Sequence, residues 1–129
     1  LSRNALQVSP VTAPDSGGKP VNVTLWATWC SPCKEEMPTM EAADKKAKEQ
    51  GIKCRGVDIK EAAAVVEKFV KENGYSWIFL LDQDSDAGRQ YQITGIPETF
   101  FIDRNGIVQA RVVGPMTPTV LEGRLAKIR

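Results

Sequence analysis

The sequence predicts an α/β fold in which a central mixed β-sheet carries helices on both faces. Strand-like and helix-like segments alternate through the first two thirds of the chain, which is the pattern of parallel strands joined by crossover helices. The short, fully apolar run Ile78–Leu81, flanked by turn residues, suits a strand buried on both faces. The last third holds two strand-like runs joined by Asp103-Arg104-Asn105-Gly106, whose Asn-Gly pair is a strong hairpin signal.

The elements follow in order. Residues 1–19 read as a tail or linker, because Pro10, Pro14, Gly17 and Gly18 interrupt any periodic pattern, and a single domain is expected over residues 20–129. Val21–Ala27 reads as the first strand. A helix then begins near Pro32, where the first turn tolerates a missing N–H, and runs to about Gln50 with Gly51 as its stop. Met37, Met40 and Ala43 are spaced for its buried face, and Pro38 inside it is expected to introduce a kink. Ile52–Ile59 alternates as a strand. Ala62–Asn73 follows as a helix with Val65, Val66, Phe69 and Val70 inward and Asn73-Gly74 at its end. After Ile78–Leu81 come a loop and a short helix near Asp86–Tyr91, the hairpin Thr99–Ile102 and Ile107–Val113, and a last helix opened by Thr117-Pro118. That helix is expected to turn Val120, Leu121, Leu125 and Ile128 to one side.

Composition excludes several function classes. Seventeen basic against sixteen acidic side chains leave a formal charge of +1, and the basic residues are scattered, so nothing argues for a nucleic-acid partner. There is no apolar run of the ~18 residues that suggest a membrane span. The chain has three cysteines and no histidine. A closed zinc site is therefore not expected, and neither a Ser-His-Asp nor a Cys-His arrangement can be built. Two cysteines this close would also do little to constrain the unfolded chain as a structural staple.

The chemistry concentrates at Trp29-Cys30-Ser31-Pro32-Cys33-Lys34, where the first strand gives way to the first helix. Helix N-termini carry unpaired N–H groups and partial positive charge, which stabilise a thiolate, the nucleophile of disulfide exchange. Glu36 lies three residues after Cys33 on the same helix, a spacing that puts both on one face. A carboxylate beside a thiol raises the thiol pKa and can accept its proton, so Glu36 is a candidate proton manager; an ordinary exposed helix acid is the alternative.

These residues carry a resemblance. The run Trp26-Ala27-Thr28-Trp29-Cys30-Ser31-Pro32-Cys33-Lys34-Glu35-Glu36-Met37-Pro38, followed by Gly95-Ile96-Pro97-Glu98-Thr99-Phe100-Phe101-Ile102-Asp103, resembles the thioredoxin superfamily. Within it, the resemblance is to the TlpA, ResA and CcmG (DsbE) group of extracytoplasmic thiol-disulfide oxidoreductases. It runs from about Pro20 to the C-terminus and implies a thioredoxin fold. It implies that Pro97 is a cis-proline beside the cysteines, leaving the Ile96 backbone to pair with an extended substrate. Trp29, Pro32, Ile96, Pro97 and Glu98 are accordingly expected to contact substrate. Thioredoxins proper place a buried aspartate six residues before the first cysteine; here that position is Thr24, which cannot titrate, and the group carries a glutamate at the position of Glu36. One departure is that Ala13-Pro14-Asp15 is followed almost at once by Gly18-Lys19-Pro20, so the N-terminal β-hairpin usual in the group is expected to be shortened or absent.

The function implied is reduction of specific disulfides outside the cytoplasm, apocytochrome c being the example that the Pro-Glu-Thr-Phe wording favours. Cys30 attacks the partner disulfide and Cys33 resolves the mixed disulfide. The redox group is the Cys30–Cys33 pair itself, with no organic or metal cofactor, acting as a monomer. A membrane electron donor of the DsbD or CcdA type would recharge it, and an anchor could precede Leu1. Two alternatives stay open: a general oxidase or isomerase, separated by its reduction potential, and a metal-binding module of the Sco type, which uses CxxxC plus histidine. Weaker signals read blandly. Cys54 suits core packing. Asp82–Asp86 lacks the glycine and glutamate of a calcium loop. Asn22-Val23-Thr24 lies in a central strand with no room for a glycan, and Trp77 is assigned to the core or its rim.

Overall fold

The computed structural model describes residues 18–59, 61–75, 78–82 and 95–129. The tail up to residue 17, the helix expected near Asp86–Tyr91, Trp77, most of the Asp82–Asp86 loop and the question of the N-terminal hairpin lie outside the described residues. Five strands form one sheet in the order β3-β2-β1-β4-β5: β1 (Val21–Trp26), β2 (Lys53–Ile59), β3 (Ile78–Asp82), β4 (Glu98–Ile102) and β5 (Val108–Val113). β1, β2 and β3 are parallel neighbours, whereas β4 is antiparallel to β1 and to β5. The sheet is mixed, as the segment order predicts.

α1 (Ser31–Glu49) links β1 to β2 and α2 (Ala63–Asn73) links β2 to β3. Both steps go the same way across the sheet, and right-handed crossovers that step in one direction place their helices on one face. The core agrees. Met37, Met40 and Ala47 of α1, Val66 of α2, and Leu121 and Leu125 of α3 (Pro118–Leu125) gather with Trp26, Cys54 and Phe101 in one cluster. The opposite face buries Val21, Val23, Leu25, Val57, Phe100 and Ile102 in a second cluster. β1 is buried at all six positions, because it lies between these two layers at the middle of the sheet.

Local chemistry explains the boundaries. Thr117 caps α3 by accepting the Val120 N–H, and Pro118 follows in its first turn. Gly51 after α1 and Gly74 at the end of α2 hold φ of +78° and +68°, values open to glycine at little cost. α1 continues as one helix through Pro38. In the hairpin the Asp103 carboxylate accepts the N–H groups of Asn105 and Ile107. Two side chains expected inward are not: Val65 is 48% and Val120 36% exposed. Each stands at the edge of its helix's apolar stripe, where its neighbours Val66 and Leu121 already fill the contact with the core.

Candidate functional site

β1 delivers the chain to a turn over Ala27–Cys30, closed by the Cys30 N–H donating to the Ala27 carbonyl at 3.2 Å. Cys30 is the N-cap of α1, with extended backbone angles, and its Sγ accepts the Cys33 N–H at 3.2 Å. No acidic residue occupies the first turn of α1, so nothing there opposes the positive end of the helix. Cys30 and Cys33 are joined as a disulfide with a Cα–Cα separation of 5.2 Å. Cys33 is 1% exposed. Cys30 is 6% exposed in this oxidised form, while the adjacent Trp29 is 66% exposed. Pro32 is also exposed.

A second wall comes from the segment before β4. The Ile96–Pro97 peptide bond is cis, and the Ile96 carbonyl oxygen lies 3.8 Å from Cys30 Sγ. Ile96 is half-buried, Pro97 is buried, and the Pro97 carbonyl accepts the Gly114 N–H at 2.8 Å. Sequence places these residues 66 positions from Cys30; β4 brings them back because it pairs with β1 on the side away from β2.

Glu36 shares the buried face of α1 with Cys33, Met37 and Met40. It is 3% exposed, and its carboxylate accepts the Met116 N–H at 2.6 Å. Burial pushes its carboxyl up from 4.5 to about 7, against the smaller, opposing effect of the Met116 hydrogen bond. It is not an ordinary surface acid. An acid with that value exchanges protons near neutrality, as proton transfer to and from a thiol requires. Thr24, at the position where thioredoxins proper hold an aspartate, is buried with its hydroxyl 3.0 Å from that of Thr99.

Glu98 does not sit where a substrate could use it. Its side chain is fully buried, its carboxylate accepts Arg111 Nε at 2.8 Å, and its backbone lies in β4 between Leu25 and Val113. The expected substrate contact is corrected to a buried ion pair, because the first residue of β4 points its side chain into the face opposite the cysteines. Of the other expected contacts, Ile96 lies against Cys30, Pro32 stands between the two cysteines in the first turn of α1, and Trp29 and Pro97 adjoin Cys30 and Ile96 in the chain.

Sequence reasoning missed a second acidic pair. Asp58, near the end of β2, is in register with Trp26 and fully buried. Glu61, just beyond β2, accepts the Thr28 N–H at 2.7 Å through Oε1 and the Thr28 hydroxyl through Oε2. The available signal was strand phase: Cys54, Gly56 and Asp58 alternate onto one face, so an inward aspartate could be read from the same pattern that buries Cys54.

Comparison with known proteins gives the same picture. A family model described as Redoxin matches residues 2–127. The thiol-disulfide oxidoreductase ResA of Bacillus cereus is 33% identical over 123 residues, covering 95% of this chain and 71% of that protein. ResA of Oceanobacillus iheyensis is 36% identical over 120 residues, covering 93% and 62%. Among solved structures, a thioredoxin-family thiol:disulfide interchange protein of Chlorobium tepidum superposes with a TM-score of 0.80 at 28% identity, covering 94% of this chain and 92% of its own. StoA of Bacillus subtilis gives 0.76 at 27%, covering 83% and 82%.

Proposed function

The chain belongs to the Redoxin family and is a thiol-disulfide oxidoreductase, and from that premise we propose that it works as a reductant of protein disulfides outside the cytoplasm. The observation that carries this reading is Glu36, a buried carboxyl on the helix face of Cys33 whose value near 7 leaves it charged in part at neutral pH. A negative charge there disfavours the thiolates of the reduced pair, and a reduced form that is poorly stabilised gives its electrons away.

The reaction runs by two exchanges. The Cys30 thiolate, held by the first N–H groups of α1, attacks one sulfur of the partner disulfide. A Cys30–partner disulfide forms and the other partner sulfur leaves as a thiolate, which takes up a proton. Cys33 then gives its proton to the Glu36 carboxylate and attacks Cys30 Sγ, expelling the second partner thiolate. Two electrons pass to the partner and the Cys30–Cys33 disulfide remains. That pair is the whole redox group. A membrane donor of the DsbD or CcdA type would return the two electrons. Trp29, Pro32 and the Ile96–Pro97 wall form the docking surface, with the Ile96 backbone offered to an extended partner strand. Apocytochrome c is the substrate we favour, on the strength of the ResA relatives and the Pro-Glu-Thr-Phe segment.

Replacing Cys33 with serine removes the resolving thiol and is expected to hold the partner on Cys30 as a mixed disulfide. Recovery of an apocytochrome c from a cell extract supports the specific assignment. A broad set of partners would make the chain a general reductase. A reduction potential for Cys30–Cys33 near −270 mV accords with a reductant, whereas one near −120 mV would overturn that direction.

A further inference from the structure

The exchange chemistry leaves Asp58 and Glu61 without a role. We propose that Glu61 is a positioning residue for the exchange reaction: its carboxylate, braced by the buried Asp58 carboxyl, grips Thr28 at two points and fixes the turn that presents Trp29 and Cys30 to a partner. The proposal rests on the reading of Cys30 as the attacking thiol.

The geometry is that of a clamp. Thr28 occupies the second position of the Ala27–Cys30 turn, whose closing bond uses the Cys30 N–H and the Ala27 carbonyl and leaves the Thr28 N–H without a partner inside the turn. Glu61 supplies that partner, and its second oxygen takes the Thr28 hydroxyl. Both oxygens of one carboxylate are thereby committed to one residue, two positions before the nucleophile. Charge-assisted bonds of this kind are roughly twice as strong as neutral ones.

Asp58 explains why Glu61 holds still. Both Asp58 oxygens are buried and lack a donor among the described residues, which is untenable for a carboxylate. A protonated Asp58 resolves this, because its O–H donates to Glu61 and its own charge is gone. Burial pushes Asp58 up to about 10, helped by its hydrogen bond with Glu61 and by the Glu61 charge. For Glu61, partial burial works upward but is outweighed by hydrogen bonds from Asp58 and from the Thr28 hydroxyl and amide, which hold it below the usual range. The chain of contacts therefore runs from the interior of β2, through Glu61, to the turn at the mouth of the site.

Placement matters because disulfide exchange needs the attacking sulfur aligned with the bond it breaks, and a misplacement of about 1 Å can cost on the order of 10²-fold in rate. The test uses the reduced, full chain with two probes, dithiobis(nitrobenzoate) and a synthetic cyclic CxxC peptide disulfide, together with the equilibrium constant of Cys30–Cys33 against dithiothreitol. Glu61→Ala is expected to slow attack on the peptide about tenfold and to move the equilibrium constant at least threefold. Asp58→Ala should do the same, while Asp58→Asn, whose amide still donates to Glu61, should recover most of the rate. A purely structural contact would lower the melting temperature in all three and leave the rate and equilibrium constant of the folded protein alone; that result overturns the proposal. If Glu61→Ala does not fold, Thr28→Val decides: a loss of about threefold supports the clamp and an unchanged rate overturns it. Cys30→Ser separates the two readings, since exchange that survives it removes Cys30 as the nucleophile, whereas a wild-type rate in Glu61→Ala with Cys30 still required removes only the clamp.

Discussion

Two glutamates are buried within reach of the sheet's active end, and they have opposite fates. Glu98 faces the Arg111 guanidinium at 2.8 Å, and Arg111 in turn lies over the Phe100 ring, 5.6 Å from its centroid. Glu36, on the other face, has one backbone N–H, from Met116, among the described residues. A guanidinium supplies a full opposite charge and a rigid donor fork, which holds the carboxylate in place. One amide dipole does not offset desolvation, so Glu36 keeps a proton that it can exchange near pH 7. The difference teaches that burial alone does not make a buried acid functional; the partner it is given decides.

The comparison is broken most severely at Glu36. Glu36→Gln keeps the hydrogen bond from Met116 but cannot accept a proton, and is expected to slow resolution of the mixed disulfide by about 10²-fold, read by stopped-flow mixing. The same variant tests the pH dependence of stability. Because the Glu36 carboxyl is raised from 4.5 to about 7, the folded chain holds that proton more tightly than the unfolded chain does. The resulting stabilisation is complete below pH 4.5 and is lost as pH rises through about 7. Oxidised wild type should therefore lose about 3 kcal/mol relative to Glu36→Gln across that window in urea titrations. An identical pH profile for the two proteins would refute the assignment.

Arg111→Met strands the Glu98 charge in the interior and should cost about 2 kcal/mol, less than a fully enclosed pair because Arg111 is 41% exposed. Exchange by the folded fraction should be untouched, which sharpens the contrast with Glu36. The smallest effect belongs to Thr24→Val, which leaves the buried Thr99 hydroxyl without its partner and should lower stability by about 1 kcal/mol in the same titrations, with no effect on the exchange rate.

Much of this was legible in the chain. The strand-to-helix cysteine pair, the i to i+3 placement of Glu36 and the hairpin depend on local spacing, and spacing survives into the fold. The role of Glu98 was not legible, because its pairing with Arg111 depends on the antiparallel register of β4 and β5, including the shift at Phe101/Ile102. Asp58 and Glu61 were hidden for a related reason. Their link to Thr28 crosses 33 positions between Thr28 and Glu61 and requires β1 and β2 to lie side by side. Val65 and Val120 show the limit of helical periodicity, which gives the direction of a stripe but not its width.

The third cysteine sets the electron count of the molecule. Cys54 is 1% exposed in the core, and burial, reinforced by the nearby Asp44 charge, pushes its thiol up to about 12. Burial and a thiol that resists ionisation both oppose its attack on an incoming disulfide. The exchangeable redox capacity of the chain is then the two electrons of the Cys30–Cys33 pair.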